Sequence, residues 1–471
     1  MKKEPKTPIE ENIEEAFQEE DGAPKLLSFE EEEEEGKIGE FFEEDKIEKL
    51  KEETGKGQPL LVEEEEVSER KSWLALFSPS MISLLLVVIL VGMGEKMAER
   101  FLPLYLVALG GGALTVSLLN GMDNLLSALY SFPGGFISDL IGYKQALIVF
   151  NIMAMVGYAI VIAIAKWWAV IIGAFFFISW TAISLPAVMS MIAHVIPKKK
   201  HTMGVTFHSL VRRLPMALGP IFGGLLITNL GINKGIRIAF SIAIVLAAIA
   251  TVLQWFMAKE PAKKKEPVKL LRSIKNIPGA LWHLLVSDIL IRFAEQIPYA
   301  FVVIYVVTMN GLTEVQFGIL TTIEMVTAIL IYIPVAYFAD KYRKKPFVLT
   351  TFIFFTAFPF FLLLCNNFWL FAIAFIIRGL KEFGEPTRKT LILELAPPEA
   401  KANTFGAYYL LRDIVVSLAA FGAGFLWKIT NVGPQVTFIV AGAFGVIGVI
   451  YFAIFGKDIK SLEKARKLTA K

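Results

Sequence analysis

Residues 134–145 read GGFISDLIGYKQ, and residues 335–346 read VAYFADKYRKKP. Each closes a long apolar stretch, and each carries an aspartate, Asp139 or Asp340, shortly before basic residues. The two lie about 200 positions apart, which marks an internal repeat. Other pairs keep that offset. Asp123 aligns with Glu324, Pro186 and Pro197 with Pro386 and Pro397, Arg212 with Arg412, and Gly224 with Gly424. At a slightly shorter offset, Lys96, Ala98 and Glu99 align with Arg292, Ala294 and Glu295.

The repeated unit is built for a bilayer. The chain has 471 residues, 55% of them hydrophobic, and a mean hydropathy of +0.58. These values exclude a compact soluble enzyme. One cysteine, Cys365, excludes an intrachain disulfide and argues against a thiolate metal cluster. Apolar runs fall at roughly 79–109, 113–136, 144–165, 167–196, 203–230, 236–258, 280–309, 314–339, 346–365, 368–396, 404–429 and 435–455. A helix needs about 20 apolar residues to cross the hydrocarbon, so about twelve transmembrane helices are predicted.

The net charge of +3 hides separate populations. Residues 1–70 hold about 26 acids against 10 bases and too few apolar residues to fold, so they are expected to form a disordered acidic cytoplasmic tail. The loops carrying Lys144, Lys198 to Lys200, Lys341, Arg343, Lys344, Lys345 and Lys401 are basic, as are the link at 259–279 and the C-terminal 457–471. The opposite loops have only Lys166, Lys234, Arg237 and Lys428. Basic loops stay inside, so both termini are expected in the cytoplasm of a multi-pass cell-membrane protein. The predicted organisation is a tail at 1–70, a six-helix bundle at 71–258, a basic linker at 259–279, a second six-helix bundle at 280–456 and a basic tail at 457–471.

Gly135, Asp139, Gly142 and Lys144 follow the spacing G-x-x-x-D-x-x-G-x-[KR], and Asp340, Lys341, Arg343 and Lys344 form a weaker second copy. The pattern resembles the loop after the second helix in the major facilitator superfamily. Gly219, Pro220, Gly223 and Gly224 resemble the end of the antiporter motif of that family's drug/proton exchangers and are expected to serve helix packing. Two departures stand out: Leu140 occupies the usual basic position after the aspartate, and the fourth span has no arginine. The resemblance implies an all-α membrane fold of two pseudo-symmetric bundles, with spans 3, 6, 9 and 12 facing lipid. It also implies that Asp139 and Asp340 serve a cytoplasmic gate, where an aspartate can meet a helix N-terminus.

Ionisable residues at membrane depth are costly and usually face a wet interior. Here they sit in the first span (Glu95, Lys96, Glu99, Arg100), the second (Asp123, between Asn120 and Asn124) and the fifth (His208, Arg212, Arg213). The seventh carries Asp288, Arg292 and Glu295, and the eighth Glu324. The tenth carries Arg378, Lys381, Glu382, Glu385, Arg388, Lys389 and Glu394, and the eleventh Arg412 and Asp413. Spans 3, 6, 9 and 12 have none in their interiors. Asp288, Arg292 and Glu295 share one helical face. From Arg378 to Lys389 the tenth span forms a charged stripe, while the matching fourth-span positions are uncharged, so substrate chemistry is expected to lean on the C-terminal half.

Individual roles stay open at this level. Asp123 and Glu324 have no basic partner in their own helix, and an uncompensated carboxylate in low dielectric can hold a proton near neutral pH. Glu99 and Glu295 are either proton or substrate groups or structural ones. Arg212 and Arg412 are forks for an anionic group or countercharges for those carboxylates. The tenth-span stripe is a gate network or a substrate contact.

The function predicted is secondary active transport of a small polar or charged solute by alternating access, with a proton gradient as driver. The alternatives are an uncoupled facilitator, a drug/proton efflux antiporter, or a transporter-fold scaffold acting through the acidic tail. No Walker-type phosphate loop, catalytic set or metal cluster is present, so no enzyme, cofactor or metal is expected. The expected partners are a small-molecule substrate and the lipid bilayer, with no nucleic acid. A monomer is expected, its tail able to contact its own basic loops.

Overall fold

The chain divides into two units, Met1–Glu69 and Arg70–Lys471. A computed structural model describes residues 79–177, 180, 184, 188, 201–257, 278–341, 344–396, 401–429 and 432–457, all in the second unit. The acidic tail, the basic link from 258 to 277 and the residues after 457 lie outside the described residues, so the expectations placed on them find no geometry here.

The described residues form helices and no strands. In the first half these are α1 (Pro79–Glu99), α2 (Leu102–Ala108), α3 (Ala113–Ile141), α4 (Tyr143–Ala163), α5 (Trp167–Phe177), α6 (His201–Leu230) and α7 (Ile232–Met257). The second half opens with α8 (Gly279–Tyr299) and a π-helical segment (Ile304–Met309). It continues with α9 (Glu314–Lys341), α10 (Lys344–Leu362), α11 (Phe368–Leu380), α12 (Glu385–Leu395), α13 (Lys401–Trp427) and α14 (Gly433–Phe455).

Among the described residues, 7 helices are long and apolar enough to cross a membrane: α4, α6, α7, α9, α10, α13 and α14. The other predicted spans are polar, broken or only partly described. Span 1 is α1 and α2, interrupted at Arg100 and Phe101, with Pro103 in the first turn of α2, where its missing N–H costs nothing. Span 2 is α3, with three polar residues at its centre. Span 7 is α8, which ends at Tyr299 after Pro298 and gives way to the π segment. Span 10 is α11 and α12, separated by a turn at Lys381–Gly384. The interruptions fall where charge is concentrated. Irregular backbone at membrane depth is tolerated where protein or a water-filled cavity, not lipid, surrounds it.

Each half packs as one bundle. In the first, α1 lies on α6 and α7, and α7 on α4. In the second, α8 lies on α13 and α14, and α14 on α10. Tyr158, Phe177 and Phe240 stack in the first core. Large apolar residues of spans 3, 6, 9 and 12 face outward: Val156 on α4, Phe256 on α7, Ile353 on α10 and Ile454 on α14 are all exposed. That ring matches the charge-free interiors of those spans and the hydrocarbon around them.

The halves meet along α6 with α9 and along α3 with α13. Glycines set the closeness. A Cβ at Gly224 would lie 2.6 Å from the Glu314 carbonyl oxygen, and one at Gly318 would lie 2.6 Å from that of Pro220. A Cβ at Gly121 would collide with Phe421, and one at Gly424 with Ser117. Gly219 and Gly223 instead seat α6 on α1 at Lys96 and Met97. Such small-residue seams let helix backbones approach in a bilayer. The four glycines named at these two seams, Gly121, Gly224, Gly318 and Gly424, lie toward the lysine-poor ends of their helices.

Candidate functional site

Three polar clusters occupy the middle of the structure. The first is on α1. Lys96 Nζ donates to Glu95 at 2.9 Å and also to Glu99. Glu95 is buried, and its Oε2 has no hydrogen-bond partner. At the break after α1, Arg100 donates to Tyr299 Oη of the other half at 2.5 Å, and its guanidinium lies over the Tyr299 ring. Asp123 on α3 accepts from Ser127 at 3.5 Å and has no ion pair among the described residues. Asn120 donates to the Gln296 carbonyl at 2.8 Å, and Asn124 to Gln296 Oε1 at 3.2 Å. Glu99, Arg100, Asn120, Asp123, Tyr299 and Arg378 line a cleft between the halves that, counting the solvent it opens to, spans about 490 Å³.

The second cluster is on α9 and the interrupted tenth span. Gly384 N–H donates to Thr351 Oγ1, and a Cβ at Gly384 would meet the Phe347 carbonyl. Pro386 then starts α12 without needing a backbone donor. The turn holds Lys381 between two carboxylates, 2.8 Å from Glu295 and 3.2 Å from Glu324. Arg378 lies 3.3 Å from Glu324. None of these contacts to Glu324 is aligned as a hydrogen bond, so both its oxygens keep spare accepting capacity. Glu382, next in the turn, reaches across to Arg213 on α6 at 2.9 Å.

The third cluster is buried inside the C-terminal half. Arg388 pairs with Asp288 and donates to Glu385 at 2.7 Å. Tyr408 Oη donates to Asp288 at 3.0 Å, and Arg412 lies 3.4 Å from the same oxygen. Arg412 also donates to Asp413 at 2.7 Å. Arg292 donates to Glu295 at 2.6 Å and approaches Asp288 and Glu385 at 3.9 and 3.7 Å. Every acid here has a base. A buried pair of this kind repays its desolvation only through such multiple contacts.

Arg412 pairs with Asp288 and Asp413, neither of which is Asp123 or Glu324, whereas Arg212 has no hydrogen bond or ion pair among the described residues. Glu324, which has no basic neighbour in its own helix, finds two on the tenth span. The tenth-span stripe is split: Arg378, Lys381 and Glu382 face the centre, while Glu385 and Arg388 are locked within their own half. Tyr299, Gln296 and Tyr408 were not singled out from sequence. The signal was there for Tyr299, which stands one turn after Glu295 on the charged face of α8.

The motif after span 2 is partly described. Gly135 and Asp139 lie in α3 and Asp340 and Lys341 in α9, with their side chains outside the described residues, as is all of Arg343. Gly142 stands at φ 97°, ψ 151°, a region essentially reserved for glycine, and begins α4. Lys144 donates to the Trp255 carbonyl at 2.6 Å, and Lys344 pairs with Glu394. Among the described residues, no group of three or more His, Cys, Asp or Glu is placed to hold a metal ion.

Comparison with known proteins places this geometry. The family model described as Major Facilitator Superfamily matches residues 84–310 and 284–470. An uncharacterized MFS-type transporter of Methanocaldococcus jannaschii is 22% identical over 372 residues, 75% of this chain and 89% of that protein. The nucleoside transporter NupG superposes with a TM-score of 0.69 at 13% identity, over 80% of this chain and 99% of that one. A bacterial homologue of the human lysosomal transporter Spinster, inward-facing and occupied, gives 0.63 at 15% identity, over 83% and 97%. A POT family transporter bound to a peptide conjugate gives 0.64 at 14%, over 79% and 95%.

Proposed function

Because this chain belongs to the major facilitator superfamily, we propose that it is a secondary active transporter of a small polar or charged solute, driven by protons and working by alternating access. One observation carries this reading: ionisable side chains of both halves converge on a cleft at mid-depth, between halves whose described contacts lie there or toward one end. Arg100–Tyr299, Asn120–Gln296 and Thr322–Ala217 all span that seam. With the basic loops inside, the seam lies toward the extracellular side. Alternating access then requires the seam to part in one phase of the cycle, with Asp139 and Asp340 serving at the lysine-rich end in this reading.

Asp123 is the proton site in this reading, since it faces the cleft without a countercharge while Glu99, Glu295 and Glu324 are ion-paired. The same pairing favours the runner-up, an uncoupled facilitator. A thermal-shift screen of purified protein identifies a ligand, since binding raises apparent stability. Proteoliposomes loaded with a pH dye are then given that ligand. A lumenal pH change that follows ligand entry supports coupling. Ligand entry with no pH change establishes the facilitator instead.

A further inference from the structure

A second cleft lies wholly within the N-terminal half, away from the seam. It lies between α1, α6 and the described residues of the fourth span and, counting the solvent it opens to, spans about 420 Å³. Arg212, Trp180, Glu95, Lys96 and Ser184 supply its polar wall, and Val88, Val188, Pro215 and Met216 are among its apolar ones. Three of these groups have unused hydrogen-bonding capacity. Arg212 has no hydrogen bond or ion pair among the described residues, although its neighbour Arg213 is engaged by Glu382. Trp180 is 4% exposed, and its Nε1 has no partner. Glu95 is 2% exposed, and its Oε2 has no partner, because Lys96 is held by Oε1 and by Glu99.

Glu95 Oε2 and Trp180 Nε1 are unmet polar groups in an apolar interior, which are expensive and call for a partner, while Arg212 stands partly exposed on the cleft wall. Arg212 and Trp180 can only donate. They therefore suit an anionic acceptor, and the planar guanidinium matches a carboxylate fork to fork. When ionised, the Glu95 carboxylate can only accept, so it suits an N–H or O–H on the same ligand. The apolar walls suit a hydrocarbon body. An inorganic anion would satisfy the first requirement and fail the other two.

We propose that this cleft is a binding subsite for an amphipathic carboxylate that also carries a hydrogen-bond donor: a 2-hydroxy or 2-amino acid with an apolar side chain. Arg212 and Trp180 take the carboxylate, Glu95 Oε2 takes the hydroxyl or ammonium, and Val88, Pro215 and Met216 take the side chain. The repeat explains why only this half has it. Arg412, the counterpart of Arg212, is consumed by Asp413 and Asp288. The subsite deepens the transport reading by naming a substrate class, but binding at it stands independently of transport.

Cys365 is the single cysteine, so Cys365→Ser gives a thiol-free background. Ser184→Cys in that background puts a thiol on the cleft wall, and Met216→Cys serves as a second reporter if the first folds poorly. The full chain in lipid nanodiscs is labelled with sulfonatoethyl and with trimethylammonioethyl methanethiosulfonate. The anionic reagent is expected to react faster by about tenfold or more, as charge focusing in a low-dielectric cleft provides. Arg212→Gln is expected to remove that preference. Phenyllactate or phenylalanine should protect the thiol, phenylpropionate about tenfold less well for want of a donor, and phenethylamine hardly at all. Absence of an anion preference, its survival in Arg212→Gln, failure of both phenyllactate and phenylalanine to protect, or equal protection by phenylpropionate would each overturn the proposal. If the subsite passes and proteoliposomes still move none of these acids, the transport reading fails and the subsite stands.

Discussion

Two carboxylates that the repeat makes equivalent end in different surroundings. Glu324 sits against Arg378 and Lys381, while Asp123 has no ion pair among the described residues and accepts from Ser127. Sequence could align the two positions but could not say which would be neutralised, because the countercharges come from another helix. If Asp123 is the proton site, Asp123→Asn should abolish ligand-driven lumenal pH change while leaving ligand exchange across proteoliposomes intact. Loss of exchange as well would assign Asp123 to substrate binding. Arg388 makes the opposite case. It is among the largest fully buried side chains and holds both Asp288 and Glu385. Arg388→Leu takes the nearest base from two buried carboxylates and should cost about 3–5 kcal/mol, seen as a lowered melting temperature in detergent. Lys389, one residue on and exposed, pairs with Glu385 at 3.6 Å. Lys389→Ala should change stability by less than about 1 kcal/mol. Equal effects from the two would show that the Arg388 network is not the anchor of that half.

At the scale of elements, hydropathy located the spans well where they are uniformly apolar and poorly where they are interrupted. Spans 3, 6, 9 and 12 match α4, α7, α10 and α14 closely, because a lipid-facing helix must be apolar throughout. The tenth span was read as one helix from 368 to 396, since its total apolar length suffices. Gly384 followed by Glu385 and Pro386 marked the interruption, but the reason for it is tertiary: the Phe347 carbonyl and Thr351 hydroxyl close on Gly384. A methyl group there has no room. Gly384→Ala should therefore cost about 1–3 kcal/mol and displace Lys381 from Glu295 and Glu324. A melt shows the first effect. The second should appear as weakened ligand affinity out of proportion to the stability loss. Unchanged affinity would mean that the turn does not position Lys381 for binding.

For the whole molecule, the two-fold repeat was legible because descent leaves matching residues, and the cleft was legible because charge avoids lipid. The conformational state was not, since under alternating access one sequence encodes more than one arrangement of the halves. The described state is sealed where α6 meets α9 and α3 meets α13. Thr322 Oγ1 donates to the Ala217 carbonyl across that seam at 2.6 Å, and a Cβ at Gly318 would lie 2.6 Å from the Pro220 carbonyl oxygen, so the two helices run close there. In the Cys365→Ser background, Ala217→Cys with Thr322→Cys should form a disulfide on mild oxidation. The tie fixes the halves in the described arrangement. Transport should then stop and return on reduction, because alternating access requires the seam to open once per cycle. Ligand binding should persist in the tied protein, because the tie leaves the arrangement of residues around both clefts unchanged. Full cross-linking with undiminished transport would mean that the halves do not rock about this seam, and the alternating-access reading would have to be abandoned.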